Sequence, residues 1–160
     1  MEPVDFTEAD QHHMQTALRM AERAATHGDV PIGAVVARGE EVLGEAGNER
    51  ELRGDPTAHA EVLALRQASE RLGGWRLLET TIYVTLEPCP MCAGAIVNAR
   101  IPRLIYGCAD PKAGAVRTLY RLCEDDRLNH RVLVEDGILA EECAELLRNF
   151  FRTQRAIGKK

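Results

Sequence analysis

The stretch "TIYVTLEPCPMCAGAI", Thr81 to Ile96, decides how the chain folds. Its opening, Thr81–Leu86, is short, β-branched and aromatic, which predicts a buried strand. The two prolines of Glu87-Pro88-Cys89-Pro90 then stop the strand, since each removes a backbone donor and fixes φ. The apolar, alanine-rich run that follows, through Arg100, predicts a helix starting near Cys89. Strand, tight turn and helix in that order form the repeating unit of α/β proteins. The same turn sets Cys89 and Cys92 three residues apart at a helix start, where side chains share one face. Unpaired N–H groups at a helix start favour the thiolate, the form that binds metal.

Reading outward, "TEADQHHMQTALRMAERAATHG" predicts a first helix with Thr7 as N-cap, Gly28 as stop, and Met14, Ala17, Leu18, Ala21 and Ala25 on one face. "IGAVVAR", a turn at Gly39 and Glu40, and "EVLGEAG" form a strand hairpin. The polar loop "NERELRGDP" leads to a helix capped by Asp55, with Pro56 at its first position and its end at Gly73 and Gly74. Beyond the opening stretch, "RLIYGC" is a strand, "ADPKAGAVRTLYRLCEDDRLNH" a loop with a short helix, "RVLVEDG" a last strand and "LAEECAELLRNFFRTQR" a final helix. Alternating strands and helices predict a three-layer α/β/α sandwich. The hairpin makes its roughly five-stranded sheet mixed. No repeat, linker or low-complexity segment interrupts residues 1–160, which are read as one domain.

The 160 residues are 45% hydrophobic and 28% charged, an ordinary globular mix. No apolar run is long enough to span a bilayer. The acidic start, "MEPVDFTEAD", lacks the basic-then-apolar order of a signal peptide. A cytoplasmic protein is expected. Five unevenly spaced cysteines argue against a disulfide framework and for metal or catalytic use in a reduced compartment. The net charge of −5 disfavours wholesale nucleic-acid binding. The tail from Arg148, "RNFFRTQRAIGKK", is nevertheless basic, with Phe150 and Phe151 interleaved. It reads either as a solvated helix end that compensates the dipole or as a contact surface for phosphate and base.

"TAHAEVLAL", Thr57 to Leu65, completes the site. It places His59 and Glu61 in the first turn of its helix. One imidazole and two thiolates, from Cys89 and Cys92, suit Zn²⁺. Three protein ligands leave a tetrahedral position for water, whose pKa the ion lowers from about 15.7 towards about 7. Glu61 is the natural proton carrier beside it. A closed structural site would need a fourth ligand, and Cys108, Cys123 and Cys143 lack ligand spacing. H-x-E followed by P-C-x-x-C is the signature of zinc nucleobase deaminases, which replace an exocyclic amine by oxygen and release ammonia.

Those motifs, with "VPIGAVV", "GNERELRGDPTAHAEVLALRQA", "ARIPRLIYGCADPKAGA", "LNHRV" and "GILAEECAELLRNFFR", resemble the bacterial tRNA-specific adenosine deaminases over nearly the whole length. The resemblance implies a cytidine-deaminase-like fold and conversion of the wobble adenosine, position 34 of a tRNA anticodon, to inosine. It implies one Zn²⁺ per subunit and a homodimer with active sites near the interface. Residue by residue, it makes His59, Cys89 and Cys92 the zinc ligands and Glu61 the proton shuttle. Asn48 becomes the base-binding asparagine and Asp110 a loop residue beside the nucleic-acid channel. Phe151 and Arg152 become the end of the helix that contacts the anticodon loop. The expected partners are the tRNA anticodon stem-loop and a second subunit, with no membrane. Gln154 departs from relatives that carry an arginine there.

The zinc motif alone does not choose the base. A guanine or cytosine deaminase is the alternative enzyme, and a binding module with structural zinc the alternative class. Other residues are read plainly. His12 and His13 are expected exposed, His27 facing the helix dipole, and His130 capping a strand or lying near RNA. Trp75 and the tyrosines are expected in packing, and Cys108, Cys123 and Cys143 as buried small apolar residues.

Overall fold

The structure, a computed structural model, describes residues 5–158. The first four residues of the acidic start, and Lys159 and Lys160 of the basic tail, lie outside the described residues.

Helix α1, Glu8–Thr26, begins at a reciprocal cap. Thr7 Oγ1 accepts from the Asp10 amide at 3.0 Å and the Asp10 carboxylate from the Thr7 amide at 3.1 Å. Strands β1, Gly33–Arg38, and β2, Glu41–Gly47, form the hairpin, with a register shift between Val36 and Ala37. Strand β3, Thr81–Leu86, pairs antiparallel with β1 on the hairpin's other side. Strands β4, Arg103–Cys108, and β5, Leu133–Asp136, then add in parallel, giving the mixed order β2-β1-β3-β4-β5.

Strand alternation divides the core between two faces. Ala34, Val36, Ile82, Val84 and Leu104 point to one face, where α3, Ala60–Leu72, and α4, Pro90–Asn98, cover them. Val35, Ala37, Tyr83 and Ile105 point to the other, under α1 and the last helix, α5, Ala140–Ala156. Fully buried side chains such as Ile82 and Leu104 each contribute about 1.5–3 kcal/mol by leaving water. At Gly33 a Cβ would sit 1.8 Å from the Ala17 carbonyl oxygen, so α1 can reach β1 only over glycine.

The sandwich read from the sequence is the one the chain forms, with local corrections. The helix read from Asp55 and Pro56 starts at Ala60 instead. Asp55 Oδ1 accepts from both the amide and the hydroxyl of Thr57 at 2.8 Å, and the Ala58 carbonyl takes the Glu49 amide at 2.9 Å. These bonds hold residues 55–58 in a turn and compete with helical pairing. The polar loop before it carries one helical turn, α2, Arg50–Arg53. Buried Asp29 accepts the Glu51 and Leu52 amides there.

His13 is fully buried, its Nε2 2.8 Å from the Gly39 carbonyl, because the helix face that packs on the sheet is wider than the apolar stripe. Trp75 is 52% exposed, with the Arg76 and Arg100 guanidinium groups over its ring, and Tyr120 is also exposed. Tyr83 and Tyr106 do pack in the core, as do Cys123 and Cys143, while Cys108 is half-buried. His27 pairs with Asp29 at 2.8 Å, and His130 holds the Ile101 carbonyl at 2.7 Å.

Candidate active site

Two helix starts meet at one point. His59 is the N-cap of α3 and Cys89 the N-cap of α4, both with extended backbone and neither side chain engaged in capping. His59 therefore lies just before its helix rather than within it, and its ring is free to face α4. Cys92 follows one turn into α4 and is buried. The His59 Nδ1 lies 3.6 Å from Cys89 Sγ and 3.4 Å from Cys92 Sγ. All three donor atoms fall within 4.8 Å of one another.

A tetrahedral ion with Zn–S near 2.3 Å and Zn–N near 2.0–2.1 Å sets nitrogen and sulfur roughly 3.6 Å apart. The donor set and its spacing both fit zinc. Among the protein groups alone, Cys89 is drawn down to about 4, chiefly by its hydrogen bond with Cys92 and then by His59. Cys92 moves up, because it shares the remaining proton with Cys89 and because it is buried. A divalent cation between two such sulfurs makes both thiolate.

Glu61 sits in the first turn of α3 and is 4% exposed. Burial holds its carboxyl above the ordinary carboxylate range. It faces a cleft of about 570 Å³, bordered by Val30, Ile32, Asn48, His59, Glu61 and Phe151 among others. Asn48 donates Nδ2 weakly to the Val30 carbonyl at 3.4 Å, and its Oδ1 is buried without a partner. That oxygen is an open acceptor beside the cleft.

Asp110 also borders the cleft, and its Oδ1 accepts the Lys112 and Ala113 amides. Arg152 does not border it: its Nη1 donates to Asn149 Oδ1 at 3.1 Å. Leu147, Phe151 and Arg155 do, spaced one turn apart along α5. Helical spacing from Phe151 points to Arg155, a signal the reading of the tail as a charge run passed over. Gln154 and Phe150 face a neighbouring groove with Arg50 and His27. Arg50, on α2, borders both, and had no motif to mark it.

This fold with this site defines a deaminase, and the MafB19-like deaminase family matches residues 8–155. The tRNA-specific adenosine deaminase of Streptococcus pyogenes serotype M1 is 46% identical over 148 residues, covering 92% of this chain and 86% of that one. A solved structure from work on A-to-I editing by tRNA:A34 deaminases superposes with a TM-score of 0.82 at 45% identity, over 85% of this chain and 99% of that chain. The chain belongs to the tRNA-specific adenosine deaminase family. The guanine deaminase of Nitrosomonas europaea shares the fold, with a TM-score of 0.78 at 19% identity over 93% of this chain and 87% of that one.

Proposed function

We propose that the chain deaminates adenosine at the wobble position of a tRNA anticodon, consuming water and yielding inosine and ammonia. The observation that carries this reading is the meeting of His59, Cys89 and Cys92 beside buried Glu61, in a cleft walled by Phe151 and Arg155 of the last helix. The family relationship supports the substrate.

His59, Cys89 and Cys92 hold one Zn²⁺ per subunit. When bound, the ion supplies the Lewis acidity that ionises water at neutral pH. Glu61 takes the proton of the attacking water and delivers it to N1 of the adenine ring. A C–O bond forms at C6. Glu61, deprotonated again, takes the proton of the new C6 hydroxyl and passes it to the amine, and the C–N bond breaks as C6=O forms and ammonia leaves. Such proton handling is worth about 10²–10⁴-fold in rate.

Asn48 offers its unpaired Oδ1 to a donor on the base or ribose. Phe151 packs against a splayed base, and Arg155 faces the phosphates, as single-stranded RNA recognition requires. Asp110 contributes the opposite rim. Arg152, directed at Asn149 in this state, stays within the basic end of α5 and serves the outer phosphates.

The partner beyond tRNA is a second copy of the chain. The face formed by Val62 and Leu65 of α3, Ala95 of α4 and exposed Trp75 supports that pairing, since the same two helices carry the site. None of the described helices is long and apolar enough to cross a membrane. A tRNA substrate fits cytoplasmic work, and residues 1–160 are read as one catalytic unit.

The test is incubation of the zinc-loaded protein with an anticodon stem-loop bearing adenosine at the wobble position. Inosine should appear. Turnover of free guanine or cytosine with the stem-loop untouched would overturn the reading.

A further inference from the structure

Glu87 is 2% exposed and lies two residues before Cys89, yet none of its hydrogen bonds reaches His59, Cys89 or Cys92. Its carboxylate accepts five, all from one loop. Oε1 takes the Asp110 amide at 3.1 Å and the Thr118 hydroxyl at 2.5 Å. Oε2 takes the amides of Val116, Arg117 and Thr118 at 3.1, 2.8 and 3.0 Å.

The loop closes tightly on this carboxylate. A Cβ on Gly114 would lie 2.4 Å from the Glu87 carboxyl carbon, so only glycine lets the backbone pass there. The Ala115 amide donates to the Pro88 carbonyl at 2.9 Å, fastening the loop to the turn that carries Cys89. The order then spreads to the rim. The Asp110 amide is held by Glu87, and Asp110 Oδ1 in turn holds the Lys112 and Ala113 amides at 3.0 and 3.2 Å. Residues 109–113 border the cleft.

We propose that Glu87 is a positioning residue that fixes the Asp110–Ala113 rim and thereby sets how tightly the RNA is held, while leaving metal binding and proton transfer to other groups. The inference rests on the tRNA reading given above. Glu87→Gln sharpens it. A glutamine oxygen can keep the three-amide cluster of residues 116–118, but its NH₂ then faces the Asp110 amide, donor against donor. The break falls at the rim.

The experiment compares zinc-loaded full-length wild type, Glu87→Gln, Thr118→Val and Thr118→Ser on the wobble-adenosine stem-loop. Zinc content and amide hydrogen exchange are read alongside. Glu87→Gln should raise KM about tenfold or more, the cost of an unsatisfied buried donor, with kcat changed less than about threefold. Zinc stays stoichiometric, and exchange quickens over residues 110–118 but not in α3 or α4. Thr118→Val moves KM and loop exchange the same way by less, and Thr118→Ser restores both. If Glu87→Gln does not fold, the Thr118 pair decides on the same two readings. A fall in kcat at unchanged KM, loss of zinc, or wild-type constants and loop exchange in the variants would overturn the proposal. A wild type inactive on the stem-loop overturns the tRNA reading first, and this inference with it.

Discussion

Arg155 stands one helical turn beyond Phe151 on α5 and borders the same cleft, whereas Arg152, adjacent to Phe151 in sequence, turns to Asn149. The two arginines therefore differ in what they can do for RNA. Arg155→Ala should weaken stem-loop binding more than Arg152→Ala. It should also reduce the slope of log affinity against log salt by about 0.7, the value for one single-strand phosphate contact. Binding titrations over a salt series check this, and equal losses for the two variants would return Arg152 to the cleft.

Asn48 carries a buried oxygen with no partner, an acceptor open toward the cleft. Asn48→Ala should lower kcat/KM by about ten- to hundredfold, equivalent to about 1–3 kcal/mol of lost recognition. Thermal stability should change little, because only a long bond to Val30 is lost with the side chain. A large drop in Tm with activity intact would mark Asn48 as structural.

Glu61→Ala should keep the fold and the zinc, because the one grouping of possible metal donors among the described residues is His59, Cys89 and Cys92, without Glu61. Deamination should fall by about 10²–10⁴-fold or more. His59→Ala should instead lose zinc, and stripping the wild type with a chelator should lower its Tm, since an ion that binds only the folded state stabilises it. Elemental analysis beside activity separates the two variants.

Asp10 ties α1 to the sheet. Its carboxylate accepts from Arg103 Nη1 and Nη2, at 2.9 and 3.0 Å, and from the Tyr83 hydroxyl at 2.7 Å, while Arg103 Nε donates to Glu135. Burial opposes ionisation, but these bonds overcome it and hold the carboxyl at about 2, below its ordinary 3.8. The folded value is the lower one, so the stabilisation is present above about pH 5 and lost as pH falls from about 4 through about 2. It amounts to about 2 kcal/mol. Acid titration of Tm should be shallower over that window in Asp10→Asn, which starts less stable at neutral pH.

Burial pushes the thiols of Cys123 and Cys143 up to about 12. At pH 8 both are neutral and enclosed, so a small alkylating reagent should leave them unmodified in the native protein and label them after unfolding. Mass spectrometry of native and denatured samples reads this directly.

The sequence alone determined the order of strands and helices, because period-2 and period-3.6 patterns and proline-marked turns are local properties of the chain. It also singled out His59, Cys89, Cys92 and Glu61 by residue type and spacing at two helix starts, and the folded chain brings these side chains to one place. The α3 start escaped it: Asp55 and Pro56 carry ordinary helix-opening signals, but the bonds of Asp55 to Thr57 and of the Glu49 amide to the Ala58 carbonyl hold residues 55–58 in a turn instead. Burial of His13 and exposure of Trp75 escaped it as well, because each depends on which neighbours arrive from elsewhere.

Only the tertiary structure decided the walls of the cleft. Arg50 of α2, Glu87 in the turn after β3 and Arg155 of α5 lie far apart in sequence, and no spacing rule links them. It likewise gave Glu87 its loop, joining residue 87 to residues 110–118 through bonds whose partners no local pattern names. Local geometry writes itself into neighbouring residues, whereas a site wall is a coincidence in space of segments whose approach is set by the packing of the whole sheet.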